Sequence, residues 1–296
     1  MIRVPGHVTG FFKPIIRDDP TVSGSLGAGF SLKRYVYTRV KILDEPVIRV
    51  FFGGRDVTKE ACTSYTAAKY LLDTVGKDVG VEIYHEFEIP IACGLASSGA
   101  GALGVVFAIN DELKLGMSRN ELAKIAHIAE VKCRTGLGSV IAQYEGMFEI
   151  RLKEGAPGIG KVARFPVRES VAILVFGPIE TKKILSSKEA LERVIRAFGN
   201  KHYELLENFS VENFCKLSKQ FAIEAGLIND RLLLLLRKAG EYGLYGSMLM
   251  LGDGIFLFGD DLETKLQKLI TSLDNTFRPK YIMFTEIDNV GVSKVD

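Results

Sequence analysis

The sequence predicts an α+β fold in two lobes, on three observations. Strand-like segments gather in the first ninety residues and helical patterns come in runs later, so strand and helix do not alternate regularly. The chain is 296 residues long, and single cores divide above roughly 250 residues. The texture also changes near residue 165, which places an N-terminal lobe at 1–165 and a C-terminal lobe at 166–296.

VEIYHEFEI (81–89) alternates apolar Val81, Ile83, Phe87 and Ile89 with Glu82, Tyr84, Glu86 and Glu88, the pattern of a half-buried strand that Pro90 ends. His85 falls on its apolar face and reads as a satisfied core residue. RYVYTRVKI (34–42) and PVIRVFF (46–52) are β-branched and aromatic, as strands are. Ser118 with Glu121 forms a capping box, and Leu122, Ile125, Ala126 and Ala129 follow at helical spacing to about Val131. Glu130 then projects from the edge of the buried face. In the second lobe the reading is a strand at 170–176 and a helix capped by Ser186 with Glu189. A helix through Phe214 and Phe221 is stopped by Gly226, and another covers 232–239. Strands at 244–251 and 254–258, a helix at 261–276 and the strand YIMFTEI complete it.

A formal net charge of +2 and the lack of a basic run argue against a nucleic-acid surface. Cys62, Cys93, Cys133 and Cys215 show no C-x-x-C pair or zinc spacing, and read as reduced thiols in a cytoplasm. No stretch of about 18 apolar residues appears and Pro5, Gly6 and His7 interrupt the N-terminus, so the expectation is a cytoplasmic protein without membrane or nucleic-acid partners. Long apolar strands would suit a homodimer.

EIPIACGLASSGAGALG (88–104) is the most informative stretch. Gly99, Gly101 and Gly104 spell G-x-G-x-x-G, but the next element is the helix capped by Ser118 rather than the strand a dinucleotide fold requires. No Lys-Ser or Lys-Thr follows, which excludes a Walker loop. Close packing of a small-residue helix explains Gly101 and Gly104, but not Ser97 and Ser98 at the helix mouth. A strand, a proline and a loop of small residues entering a helix present free N–H groups and a positive dipole end to phosphate. A hydroxyl there can reach a magnesium ion carried by that phosphate.

Pro90, Gly94, Leu95, Ser97 and Ser98, in this order and spacing, resemble the signature of the GHMP small-molecule kinases. VPGHVTGFF (4–12) resembles that superfamily's N-terminal strand and turn, and AEVKCRTGLGSVIAQYEG (129–146) its acidic-ligand and catalytic-loop segment. SGSLGAGFSL, FEIRLKEGAPG and TEIDNVGV extend the similarity, over essentially the whole chain, to the archaeal pantoate kinases. The resemblance implies an N-terminal lobe like ribosomal protein S5 domain 2 and a ferredoxin-like C-terminal lobe. It further implies ATP-dependent phosphorylation of the 4-hydroxyl of (R)-pantoate in archaeal coenzyme A biosynthesis, with ATP and Mg²⁺ between the lobes.

Carried over by position, Pro90 and Gly94, Leu95, Ala96, Ser97, Ser98, Gly99 and Ala100 would wrap the ATP phosphates, and Ser98 with Glu130 would hold Mg²⁺. Substrate contacts would come from His7, Thr9 and a Ser23–Gly29 loop, through Ser23 and Ser25, and from Arg151, whose guanidinium can hold a carboxylate by two parallel bonds. The other reading of Arg151 is a solvated strand residue sharing its face with Glu149. The segment YGSMLMLGDGIFLFG matches the third superfamily motif loosely. Ser139 is the main departure, because relatives commonly carry aspartate there as the assigned base and a serine hydroxyl cannot take up a proton at neutral pH. Three explanations stand: a kinase without a base, a deliberately inactivated form, or an enzyme using another carboxylate such as Glu145 or Asp253; a non-catalytic nucleotide-binding protein on the same fold is a separate alternative. A kinase for another hydroxy acid or amino acid, homoserine or shikimate, is the alternative among enzymes.

Overall fold

A computed structural model of the chain describes residues 1–178, 188–274 and 277–295. β1 (Ile2–Ile15) and β2 (Gly24–Leu43) form a long antiparallel pair. β3 (Ile48–Phe52), β4 (Arg55–Asp56) and β5 (Gly80–Phe87) extend the sheet on one side of β2. β6 (Phe148–Lys153) pairs with the first half of β2, and β7 (Lys161–Phe165) pairs with β6. The path is β12-β1-β2-β5-β3-β4, with β12 (Ser293–Lys294) on the edge and, among the described residues, β3 and β5 its one parallel pair. The expected Ser23–Gly29 loop is corrected here: Gly24 onward is strand, in register with β1 from Ile15 and with β6 at Gly27 to Phe30. Glycine density mimics a loop, but these glycines answer crowding across the sheet, as shown below.

Helices α1 (Cys62–Val75), α2 (Ser97–Glu112) and α3 (Arg119–Cys133) pack on this sheet and on one another, with the short α4 (Ser139–Gln143) beside them. α3 opens on the predicted capping box, in which Ser118 and Glu121 satisfy each other's backbone N–H. α2 is buried from Gly99 to Ile109. A side chain at Gly104 would collide with Thr38, and one at Gly101 would press on Ser64, so close packing accounts for these two glycines. His85 is buried between the hydroxyls of Thr38 and Ser64, each 2.9 Å away, and burial lowers its pKa to about 4.

The second sheet, β11-β8-β10-β9, consists of β8 (Ser170–Gly177), β9 (Tyr245–Met248), β10 (Asp253–Phe258) and β11 (Tyr281–Glu286), antiparallel throughout. Its helices are α5 (Lys188–Phe198), α6 (Lys201–Glu207), α7 (Val211–Glu224), α8 (Asp230–Glu241) and α9 (Leu262–Thr271). The expected cap Ser186 lies outside the described residues. α7 is capped by Ser210, and the chain turns left-handed at Gly226 after it. The short α6 and β12 carry too few residues for a periodic signal.

An aromatic core joins the two sheets. Phe30 of β2 meets Phe148 at 5.4 Å, Phe256 at 5.4 Å and Phe258 at 5.3 Å between ring centres, and Phe148 meets Phe214 of α7 at 4.6 Å. Stacked and edge-on pairs of this kind contribute about 0.5–1.5 kcal/mol each beyond area burial. The chain's end also returns to the first sheet. Asp288 is buried, its backbone bonds Ser31 and Met147, and β12 lies on β1. Among the described residues no helix is long and apolar enough to cross a membrane.

The cysteine expectation is corrected. Cys62 and Cys133 form a disulfide with their Cα atoms 6.1 Å apart, while Cys93 and Cys215 are free and buried. Cys62 opens α1 and Cys133 closes α3, a juxtaposition made by helix packing and hidden by 71 residues of sequence separation. Replacing Cys62 by serine is expected to lower stability by about 4 kcal/mol, the chain-entropy figure for a loop of this length. Urea unfolding with and without reductant checks it; an unchanged midpoint would show that the bridge contributes nothing.

Candidate active site

After β5 the chain crosses Pro90 into a loop whose backbone is left-handed at Ala92, Gly94 and Ala96. Ala96 is the N-cap of α2 and offers no side chain to the first helical N–H groups. The mouth formed by Ser97, Ser98 and Gly99 therefore keeps the free donors and dipole that suit an anion. A side chain at Gly94 would press on the Met250 carbonyl (2.9 Å) and the Gly252 backbone (3.0 Å). The loosely matching third segment thus lies directly against this loop, which gives Gly252 more weight than sequence reading allowed.

Glu130 is wholly buried. Its Oε1 accepts from the Ser98 hydroxyl (2.8 Å), and its Oε2 accepts from the Ser139 hydroxyl. Burial pushes its pKa up, opposed by hydrogen bonds from Ser139, Ser98 and the backbone of Val140. Gly136 makes the close approach possible, since a Cβ there would lie 2.6 Å from both Glu130 Oε1 and the Ser139 hydroxyl. Gly99 packs against the same group, 3.2 Å from Glu130 Oε2 and 2.7 Å from Gln143 Oε1 when a Cβ is placed on it. The three glycines of the G-x-G-x-x-G match therefore divide, one at this carboxylate and two in helix packing. Gln143 ties the neighbourhood together by donating from Nε2 to the carbonyls of Pro5 (2.8 Å) and Ala96 (3.0 Å).

A second polar group lies across Gly138. A Cβ on that residue would collide with the Ser25 hydroxyl and sit 3.0 Å from Arg151 Nε. Arg151 is 1% exposed and Glu149 is fully buried, which overturns the solvated-strand reading. β6 alternates, but both its faces are covered. Arg151 Nη1 donates to Glu149 Oε1 (2.6 Å), and His7 Nε2 lies 3.0 Å from the same oxygen. Burial lowers the pKa of His7 against the opposing pull of Glu149. The Thr9 hydroxyl is 3.5 Å from His7 Nδ1, and the His7 N–H donates to the Leu95 carbonyl (3.1 Å). Ser23 stands apart, buried with its hydroxyl accepting the Arg17 N–H (2.9 Å) within its own turn.

The structure thus gathers Ser98, Glu130 and Ser139 at one carboxylate and places Ser25 and Arg151 beside it, with His7 behind Arg151. A GHMP kinases N terminal domain model matches residues 63–146, the stretch holding α1 to α4. The pantoate kinase of Methanospirillum hungatei is 31% identical over 265 residues, covering 89% of each chain. That of Thermococcus kodakarensis is 32% identical over 297 residues, covering 97% of each. The chain belongs to the pantoate kinase family of GHMP kinases. A solved structure described as a phosphotransferase related to the CoA biosynthesis pathway agrees in fold, with a TM-score of 0.85 at 30% identity over 99% of this chain and 97% of that one. Family membership makes the chain an ATP-dependent kinase on the GHMP fold.

Within this kinase the two substitute bases raised by the sequence are both ion-paired, Glu145 with Arg164 and Asp253 with Arg231. Sequence reading missed Gln143 and His127. His127 lies one turn before Glu130 and is buried, with Nε2 donating to the Ser23 carbonyl (2.9 Å) and Nδ1 unpartnered among the described residues. Its i, i+3 spacing from Glu130 was the available signal.

Proposed function

We propose that the chain transfers the γ-phosphoryl group of ATP to the 4-hydroxyl of (R)-pantoate. The observation that carries this reading is the adjacency, across Gly138, of the Ser98–Glu130–Ser139 cluster and the Ser25–Arg151 group. One suits a metal-bound phosphate and the other an anionic acceptor, and the names of the two archaeal relatives supply the substrate.

The donor set fits Mg²⁺. Ser98 and Glu130 offer only oxygen, and Mg²⁺ is usually held by one or two carboxylates together with substrate phosphates. Among the described residues no cluster of three His, Cys, Asp or Glu is built to hold a metal alone, which agrees with an ion that arrives on the nucleotide. When bound, Mg²⁺ neutralises charge on the transferring phosphoryl group. The amides of Gly94 to Ala100 would cradle the phosphates, and the Arg151 guanidinium would hold the carboxylate of pantoate. Ser139 would orient the acceptor hydroxyl rather than take its proton. Phosphoryl transfer has a loose transition state in which positioning and charge stabilisation carry most of the acceleration.

Release of ADP measured with (R)-pantoate, homoserine and shikimate tests the acceptor. Turnover with pantoate alone is expected, because a site built for its carboxylate leaves polar groups unpaired around the others. Faster turnover with homoserine or shikimate would overturn the assignment.

A further inference from the structure

The glycines of SGSLGAG have a function in the sheet. β1 and β6 flank β2, and neighbouring strands lie about 4.8 Å apart, so side chains on β1 and β6 are separated by roughly 10 Å. They can meet over β2 only where β2 has no side chain. Gly29 stands opposite Glu149 and Thr9, and Gly27 opposite Arg151 and Phe12. A Cβ on Gly29 would lie 2.6 Å from the His7 ring, and one on Gly27 would lie 2.7 Å from Arg151 Nη2. Through this window His7 from β1 reaches Glu149 from β6.

Glu149 is the centre of the group. Its Oε1 accepts from both His7 and Arg151, while its Oε2 and Arg151 Nε are buried without a hydrogen-bond partner among the described residues. Because Glu149 engages Nη1, the guanidinium keeps its Nε–Nη2 edge, the one fitted for side-on bonding to a carboxylate. Nε lies beside the Ser25 hydroxyl under Gly138.

We infer that Glu149 is a positioning residue, which fixes through Arg151 the edge offered to the carboxylate of the acceptor. The inference rests on the functional reading above. With Glu149 in place Arg151 is already neutralised and oriented; without it the guanidinium is free to turn about its long side chain. Selection of an anionic acceptor then depends on a residue that does not touch that acceptor.

The test is a double-mutant cycle of Glu149→Gln and Arg151→Lys, read by isothermal titration of (R)-pantoate and, separately, of ATP. Glu149→Gln alone is expected to raise the Kd for pantoate at least tenfold and to leave that for ATP within twofold. A structural collapse would move both. In the Arg151→Lys background, where no fork remains to orient, Glu149→Gln is expected to change the pantoate Kd less than twofold, and Glu149→Asp in the parent is expected to recover part of the loss. Additive effects in the cycle, or pantoate binding indifferent to Glu149→Gln, overturn this inference alone. Absence of pantoate binding to the unaltered protein overturns the proposed function and this inference with it.

Discussion

Replacing Glu130 by glutamine is expected to lower kcat by about 10²–10³-fold, the usual effect of removing one preorganised charge-stabilising group, while making the protein more stable. The two effects have opposite signs because the site holds an anion under poor conditions for one. Glu130 is fully buried near the C-terminus of α3, where the helix dipole opposes a carboxylate. Its folded pKa is raised by burial. A carboxyl raised above its unfolded value binds more protons in the folded state, so stability falls as pH rises through the carboxylate range. The glutamine variant lacks this loss. Melting curves in EDTA should show the variant above the parent at neutral pH, with the gap narrowing as pH falls towards about 4. A variant that is both inactive and less stable would mean that Glu130 serves packing rather than the metal.

Replacing Ser139 by aspartate is expected to raise kcat by about 10²-fold, at the lower end of what a general base supplies. The ATP KM should stay nearly unchanged. The Ser139 hydroxyl donates to Glu130 Oε2, so a carboxylate at 139 would meet the Glu130 carboxylate directly. Like charges at this distance raise one pKa of the pair, which helps a base and harms the empty site. The variant should therefore melt below the parent in EDTA and recover with Mg²⁺ and ATP. Steady-state kinetics beside melting curves check both halves. No gain in kcat would show that Ser139 does not stand in for a lost base.

Much of the fold was legible because its signals are local. The capping box at Ser118, the alternation of 81–89 and the helical spacing around Phe214 and Phe221 each specify their element without reference to partners. The loop that enters α2, proposed here to cradle phosphate, was legible through Gly94 and the paired serines. The remainder depended on contacts between distant segments. Ser23 to Gly29 read as a loop, because only the register of β1, β2 and β6 shows that the glycines clear a path for His7 and Arg151. Alternation placed Glu149 and Arg151 together, but could not show that their face is covered. The Cys62–Cys133 bridge follows from the packing of α1 on α3, and thiol spacing along the chain carries no trace of it. Gly252 sits in a segment that matches its motif only loosely, and what it provides is room for another loop to approach, a property of the pair rather than of the motif.

The most direct test of the central claim is phosphorus NMR of the unaltered protein incubated with ATP, Mg²⁺ and (R)-pantoate, beside a sample without acceptor. The assignment predicts a new phosphomonoester resonance, coupled to the protons on C4 of pantoate, that grows with ADP and is missing without acceptor. ATP binding with no phosphomonoester formed would contradict it, and would make the chain a nucleotide-binding protein disabled at Ser139.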